Sequence, residues 1–297
     1  MLFQNKTPEQ KRSEFRAALA TGRLLRFPGA FSPLIAMLIE QIGFDGVYIS
    51  GAVLSNNLGV PDIGLTTLSE VTEAGRAIAR ATALPSIIDI DTGFGEPMNV
   101  ARTVQELEAA GLCGCHLEDQ ENPKRCGHLE GKSLVETSAM VRKIRAAAEA
   151  KRDANFLIIA RTDARASEGL TAAIGRAKAY VDAGAEMIFP EALADEKEFE
   201  TFRRAISVPL LANMTEFGKS KLLSADELQG LGYNLVIYPV TALRLALKAV
   251  LLGLAQIKEQ GHQRDVLDQM LTRAELYQLL EYEKYNVFDK SVFNFRV

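Results

Sequence analysis

The chain has 297 residues, 47% of them hydrophobic and 24% charged, with a formal net charge of −4. This is ordinary globular composition, and the lack of a basic, aromatic-rich tract argues against nucleic acid as a partner. The longest apolar run, 242–255, is interrupted by Arg244 and Lys248. It falls short of the roughly 20 residues that span a bilayer, so no membrane partner is expected.

The three cysteines, Cys113, Cys115 and Cys126, are odd in number, and the first two are too close to pair easily. This is the pattern of a reduced, cytoplasmic protein. The first residues lack a charged start followed by an apolar stretch, so no secretory signal is expected.

Residues 8–20 read as a charged amphipathic helix. A regular alternation follows, in which short apolar runs lead through turn residues into segments of helical period. The first strand is read at 24–27, with a helix at 32–41. The second strand is at 46–50, followed by a loop through Asn56, Asn57, Gly59, Pro61 and Asp62. Thr67 and Glu70 form a capping-box pattern that opens a helix at about 67–82. Strands at 85–91, 112–118, 156–162, 186–190, 208–212 and 234–239 complete a set of eight. Helices are expected at about 97–110, 133–150 and 170–183. Glycines such as Gly111, Gly184 and Gly232 end helical stretches just before strands.

Eight short apolar strands with intervening helices predict a (β/α)8 TIM-type barrel as a single domain over 1–297. An open doubly wound sheet is the alternative, but no Gly-x-Gly-x-x-Gly follows the first strand. The segment 242–255 is apolar around most of its circumference, so it should be buried on several sides. A subunit contact is one way to do this, and cover by the chain's own tail is the other. The tail from 263 to 284 reads as a charged amphipathic helical region. The last residues, with Phe288, Phe293 and Phe295, are poorly patterned.

In a barrel the C-terminal ends of the strands converge on one face. There the sequence places Ser50 and Gly51, Asp89 and Asp91, His116 and Glu118, Arg161 and Asp163, Glu191, Asn213, Thr215 and Glu216, and Tyr238. Asp89 and Asp91, two apart on a strand, should point the same way. Two such carboxylates, with Glu118 in the same position on the next strand, suit Mg²⁺ or Mn²⁺ with waters. The plain alternative is a set of hydrogen-bonded strand-end acids. Arg161 offers a planar fork for a substrate carboxylate, or an ion pair with a neighbouring acid. His116 reads as a core histidine, and Cys113 and Cys115 as strand packing. Between strands four and five, Cys126 lies beside Lys124 and Arg125 and two residues before His128. Nearby positive charge stabilises a thiolate, so Cys126 is either a reactive thiol or an incidental loop cysteine.

The run Lys124-Arg125-Cys126-Gly127-His128 resembles the signature of the isocitrate lyase/phosphoenolpyruvate mutase superfamily. The likeness extends from about residue 12 to about 285. It includes 48–51 (Tyr-Ile-Ser-Gly), 89–95 (Asp-Ile-Asp-Thr-Gly-Phe-Gly), 116–120 (His-Leu-Glu-Asp-Gln), 160–164 (Ala-Arg-Thr-Asp-Ala) and 212–218 (Ala-Asn-Met-Thr-Glu-Phe-Gly). The resemblance implies a barrel whose eighth helix is swapped between subunits of a homotetramer, here the region of about 242–297. It implies Mg²⁺ on Asp89 and Asp91 with Glu118 behind them. It also implies a small di- or tricarboxylic acid held by Ser50, Gly51, Ala52, Cys126, Gly127, Arg161, Glu191, Asn213, Thr215, Arg244 and Arg273. The implied reaction is metal-dependent cleavage of a carbon–carbon bond, with Cys126 as general acid, Tyr48 or a metal-shell carboxylate as the base, and His128 tuning the thiol. Two features depart from other members. The stretch after Gly51 reads Ala-Val-Leu-Ser-Asn-Asn, where some carry a run of glycines. The large insertion of the longer isocitrate lyases is missing, which favours a methyl-bearing substrate, with Phe189 either lining the pocket or packing beneath it.

Overall fold

A computed structural model describes residues 6–125, 127 and 131–293. The elements run α1 (Pro8–Ala20), β1 (Leu25–Pro28), α2 (Pro33–Ile42), β2 (Val47–Ile49), α3 (Gly51–Asn57), α4 (Leu68–Ala79), β3 (Ser86–Asp89), α5 (Pro97–Ala109) and β4 (Gly114–Glu118). They continue with α6 (Thr137–Ala150), β5 (Leu157–Thr162), α7 (Ala164–Ser167), α8 (Leu170–Asp182), β6 (Met187–Pro190), α9 (Glu196–Ala205), β7 (Leu211–Asn213), α10 (Ala225–Gly230) and β8 (Leu235–Tyr238). The long α11 (Thr241–Gln260), a 3₁₀ turn (Arg264–Gln269), α12 (Arg273–Leu279) and α13 (Tyr282–Phe293) follow.

All named strand pairs are parallel. One sheet has the order β2-β3-β4-β5-β6 and the other β1-β8-β7. Single parallel bridges, Gly29 to Tyr48 and Ile188 to Leu210, join the two sheets at their borders. The alternation of side chains along a strand divides the apolar residues between two cores. On β5, Ile158 and Ala160 pack with the helices, while Leu157 and Ile159 face a second cluster with Phe15 of α1, Phe27, Ile87 and Ile237.

Helix α1 closes the end of the sheets opposite the polar strand ends. Its capping box is formed by Thr7 and Gln10. Lys11 Nζ donates to the carbonyls of Ala79 and Thr82 at 2.8 and 2.6 Å. Arg12 Nε donates to Leu112 O at 2.8 Å, and its guanidinium pairs with Asp153 at 3.1 Å. These cations satisfy carbonyls at the ends of helices and the starts of strands, where the helix dipole favours positive charge.

Close backbone approach fixes Gly29 at the border of the sheets. A Cβ there would stand 2.0 Å from Pro239 O. Gly29→Ala should therefore destabilise the fold by about 3 kcal/mol or more, the upper end of overpacking costs. Denaturant melts read by circular dichroism check this, and a wild-type midpoint would contradict it.

The structure corrects several expectations. The first half of the supposed loop after β2 is helical, as α3. The third strand stops at Asp89, and Asp91 lies beyond it with φ +50°, so strand parity does not set its direction. The helix expected from 133 starts at Thr137, because Leu134 is used in an antiparallel bridge to Gln120. The final residues expected to lack pattern form α13 up to Phe293. Helix α11 is not covered by the tail. Leu245, Leu247, Leu251, Leu252 and Leu254 are all more than half exposed, and only Leu243 of this helix is buried. No described helix is long and apolar enough to cross a membrane.

Candidate active site

The strand register sets the polar ends side by side. Asp89 on β3 is opposite His116 on β4, Glu118 is opposite Arg161 on β5, and Arg161 is opposite Phe189 on β6. A cavity of about 250 Å³ opens above them. Of the residues expected at the site, Tyr48, Ser50, Ala52, Asp89, Gly127, Arg161, Glu191, Asn213, Thr215 and Arg244 line it. Gly51, Asp91 and Glu118 do not line it, but the first two bind Asp89 through their N–H groups and Glu118 pairs with Arg161. Arg273 is exposed at the start of α12 and does not line it. Cys126 and His128 lie outside the described residues. Phe189, expected to line the pocket or pack beneath it, is fully buried in the second core, with its ring edge-on to His116 at 5.2 Å and beneath Arg161 at 5.1 Å. Its place is packing.

The two aspartates converge over Gly51. A Cβ on Gly51 would lie 2.9 Å from Asp89 Oδ2 and 3.0 Å from Asp91 Oδ1, so glycine leaves that corner to the carboxylates. The Gly51 N–H donates to Asp89 Oδ2 at 3.2 Å, and the Asp91 N–H to Asp89 Oδ1 at 3.0 Å. Lys124 Nζ stands 2.7 Å from Asp91 Oδ1 and also binds Asp62. Burial pushes the Asp91 carboxyl up to about 6 in spite of Lys124. Burial acts on Asp89 in the same direction, but His116, Lys124 and Arg161 outweigh it and hold that carboxyl below its ordinary range. Glu118, raised by burial, keeps Oε1 without a hydrogen-bond partner among the described residues.

This donor set fits Mg²⁺. All its atoms are hard oxygens, two of them meet at one corner, and a third carboxylate has an idle oxygen nearby. Among the described residues, no three His, Cys, Asp or Glu side chains form a ready-made cage. Mg²⁺ is commonly held by one or two carboxylates and keeps several waters.

Arg161 is the central cation. Its Nε lies 3.1 Å from Glu118 Oε2 and 2.9 Å from Asp163 Oδ2, and Nη2 donates to Asp163 Oδ1 at 3.1 Å. Burial opposes its charge, but Asp163, Glu118 and Glu191 outweigh that and keep the guanidinium protonated. The ion-pair reading of Arg161 is the one seen here, and the guanidinium also lines the cavity. Asn213 Nδ2 donates to Glu191 at 3.3 Å, which aligns two more lining groups. Below them, the Tyr48 hydroxyl and His116 Nε2 are 2.7 Å apart. Burial lowers His116 to about 4, so it is neutral, and burial raises the Tyr48 phenol well above its usual value.

The signature loop rises from a short stem. Glu121 N–H donates to Ser133 O and Val135 N–H to Asp119 O, each at 2.9 Å. The Gln120 side chain holds Arg125 through its backbone N–H (2.9 Å) and carbonyl (2.8 Å). Sequence reasoning missed two buried lysines, Lys124 on the aspartates and Lys132 on Asp163 at 2.8 Å. Lysine is rarely buried unless paired. The only available signal was the acid excess at the strand ends, which demands cations from somewhere.

A family model described as phosphoenolpyruvate phosphomutase matches residues 15–258. A Corynebacterium glutamicum protein named probable 2-methylisocitrate lyase 1 is 62% identical over 288 residues, 97% of this chain and 94% of that protein. Among solved structures, an oxaloacetate acetylhydrolase holding 3,3-difluorooxalacetate superposes with a TM-score of 0.92 at 31% identity, over 98% of this chain and all of that one. A phosphonopyruvate hydrolase solved with oxalate and Mg²⁺ gives 0.86 at 33% identity, over 96% and 99%.

Proposed function

The chain belongs to the phosphoenolpyruvate phosphomutase family, and on that premise we propose that it cleaves 2-methylisocitrate to pyruvate and succinate. The observation that carries the substrate is the near-full-length likeness to the Corynebacterium protein. The strand-end site supplies groups that the chemistry needs. We assign the fold to a (β/α)8 barrel in one domain, supported by the two bridges that join the sheets border to border. The bare leucines of α11 support a homotetramer in which this helix, with the tail after it, packs on another subunit. In such an assembly Arg273 would serve a neighbouring site. The reduced thiols support a cytoplasmic setting, and the substrate a role in propionate breakdown through the methylcitrate cycle.

In the proposed cleavage the C2 hydroxyl loses its proton and the C2–C3 bond breaks. Its electron pair goes to C3 of the succinate half, and C2 becomes the pyruvate carbonyl. Asp89 and Asp91 would hold Mg²⁺, with Glu118 behind them, and the ion would polarise the hydroxyl and its carboxylate and offset the oxyanion charge. Asp163 holds the Nε and Nη2 side of Arg161, so the guanidinium meets a substrate carboxylate with its remaining N–H groups and its charge, and Ser50, Asn213 and Thr215 donate to the remaining oxygens. Tyr48, with its phenol raised by burial, stays neutral and donates a hydrogen bond, so the hydroxyl proton goes to a carboxylate of the Asp89, Asp91 and Glu118 group. Cys126 then protonates C3, with His128, Lys124 and Arg125 adjusting the thiol. Exclusion of water from the loaded site would keep it from competing for the carbanion.

The deciding experiment is a product assay on the purified protein, with 2-methylisocitrate beside isocitrate, 2,3-dimethylmalate and oxaloacetate, each with and without EDTA. EDTA-sensitive release of pyruvate and succinate from the first is expected. A clear preference for any of the other three would replace the reading.

Metal affinity should depend on acidity. A ligand must be ionised to bind, and Asp91 ionises only as pH rises through about 6. Mg²⁺ affinity should fall about tenfold for each pH unit below that point and level off above it, as one linked proton requires. Calorimetric titration from pH 5 to 8 checks this, and a flat profile would count against Asp91 as a ligand.

A further inference from the structure

Lys132 is an ammonium buried to 3% exposure that the cleavage described above leaves without a task. Its Nζ is 2.8 Å from Asp163 Oδ1 and also donates to the carbonyl of Gly127, five residues earlier. Asp163 is itself fully buried and takes both arms of the Arg161 fork. It is held in turn through Asp119, which accepts from the Asp163 N–H at 2.9 Å and from Thr162 Oγ1 at 2.8 Å. Gly127 is pressed against the same cation. A Cβ on it would come within 2.2 Å of Arg161 Nη2 and 2.6 Å of Glu191 Cγ. The backbone at Gly127 is therefore fixed on two sides, by Lys132 and by Arg161 with Glu191. Lys132 and Arg161 meet on one carboxylate.

We propose that Lys132 is a positioning residue that ties the backbone at Gly127 to the carboxylate-binding Arg161 through Asp163. Two effects follow from this geometry. Lys132 offsets part of the Asp163 charge, which leaves more of the Arg161 charge for a substrate carboxylate. Lys132 also fixes the carbonyl of Gly127, the residue that follows the proton donor in the chain. The first effect acts on substrate binding and the second on proton transfer. The proposal rests on the lyase reading for the roles of Arg161 and Cys126, and not for the contacts themselves.

The test compares wild type, Lys132→Met and the double variant Lys132→Met/Asp163→Asn in KM, kcat and the rate of Cys126 alkylation by iodoacetamide, with the labelled residue located by peptide mapping. Cys113 and Cys115 are buried, and burial raises both thiols, to about 11 and 12, so they should not compete. In Lys132→Met, kcat should fall and KM rise, together lowering kcat/KM by about 10²-fold, the scale of a small misplacement of reacting groups. In the double variant the charge balance is restored without the tether. KM should return to within roughly threefold of wild type while kcat stays low, a split that a role in folding alone would not give. The alkylation rate should differ from wild type in both variants. Recovery of kcat together with KM in the double variant would reduce Lys132 to a charge partner and overturn the proposal, as would near-wild-type kinetics in the single variant. If the wild type cleaves none of the candidate acids, the lyase reading fails, and alkylation still decides. Unchanged labelling of Cys126 then overturns the tether, and altered labelling sustains it.

Discussion

Cys126→Ser should lower the turnover of 2-methylisocitrate by about 10²–10⁴-fold, the usual contribution of a general acid, while the melting temperature and Mg²⁺ affinity stay at wild-type values. A serine hydroxyl is nearly the same size as a thiol but far less acidic, so it can fill the position without giving up its proton to C3. The contrast with the other thiols sharpens the test. Cys113 and Cys115 pack inside the strands, and burial raises their pKa values, so Cys115→Ser should affect stability and leave chemistry alone. Stopped-flow assay of pyruvate release, with proton exchange into succinate followed by NMR, separates the two kinds of effect. Near-normal turnover in Cys126→Ser would remove it from the mechanism.

Arg161→Met should both abolish binding of the acid and weaken the protein. The guanidinium stands between Glu118 and Asp163, both buried. Breaking a buried ion pair by removing one partner costs about 3–5 kcal/mol, because the other charge is left uncompensated in a poor solvent. Lys132 still neutralises Asp163, so the loss should fall mainly on Glu118, whose carboxyl burial already raises. Stability of the variant should then improve as pH falls and Glu118 takes up a proton. In wild type the raised Glu118 has the same sign, since its ionisation is opposed by burial and stability is lost as pH rises through its folded value, but Arg161 moderates it. Urea melts at several pH values measure this. A variant as stable as wild type at neutral pH would show that the cluster does not depend on its central cation.

Much of this architecture was legible because it rests on apolar pattern. Runs such as Ile87-Ile88 and Leu157-Ile158-Ile159, bounded by turn residues, read as strands buried on both faces, and Gly111, Gly184 and Gly232, each with positive φ, mark the helix ends before β4, β6 and β8. Asp89, Glu118 and Arg161 followed from their positions at strand ends. Helix α3 was hidden because seven residues carry too little periodicity to outweigh the Asn and Gly that follow. Asp91 was expected in the strand, because its left-handed backbone depends on contacts with β4 (its carbonyl accepts from the Glu118 N–H at 2.9 Å) and not on its own preference. Lys124 and Lys132 were illegible for a general reason: a lysine in a polar loop is ordinarily solvated, and only the assembled acids draw it inward. The family signature identified the loop, but the residues that fix its ends, Gln120, Lys132 and Asp163, emerge only from the three-dimensional contacts.

The clasp made by α1 has a consequence for how the protein is made. Lys11 binds carbonyls 68 and 71 residues downstream, Arg12 one at 100 residues, and the carboxylate that Arg12 pairs with lies 141 residues on. During synthesis none of these partners exists when the first helix leaves the ribosome. The two cations that seal the floor must wait in water until the partners between Ala79 and Asp153 have been translated, so this helix cannot reach its place before they have.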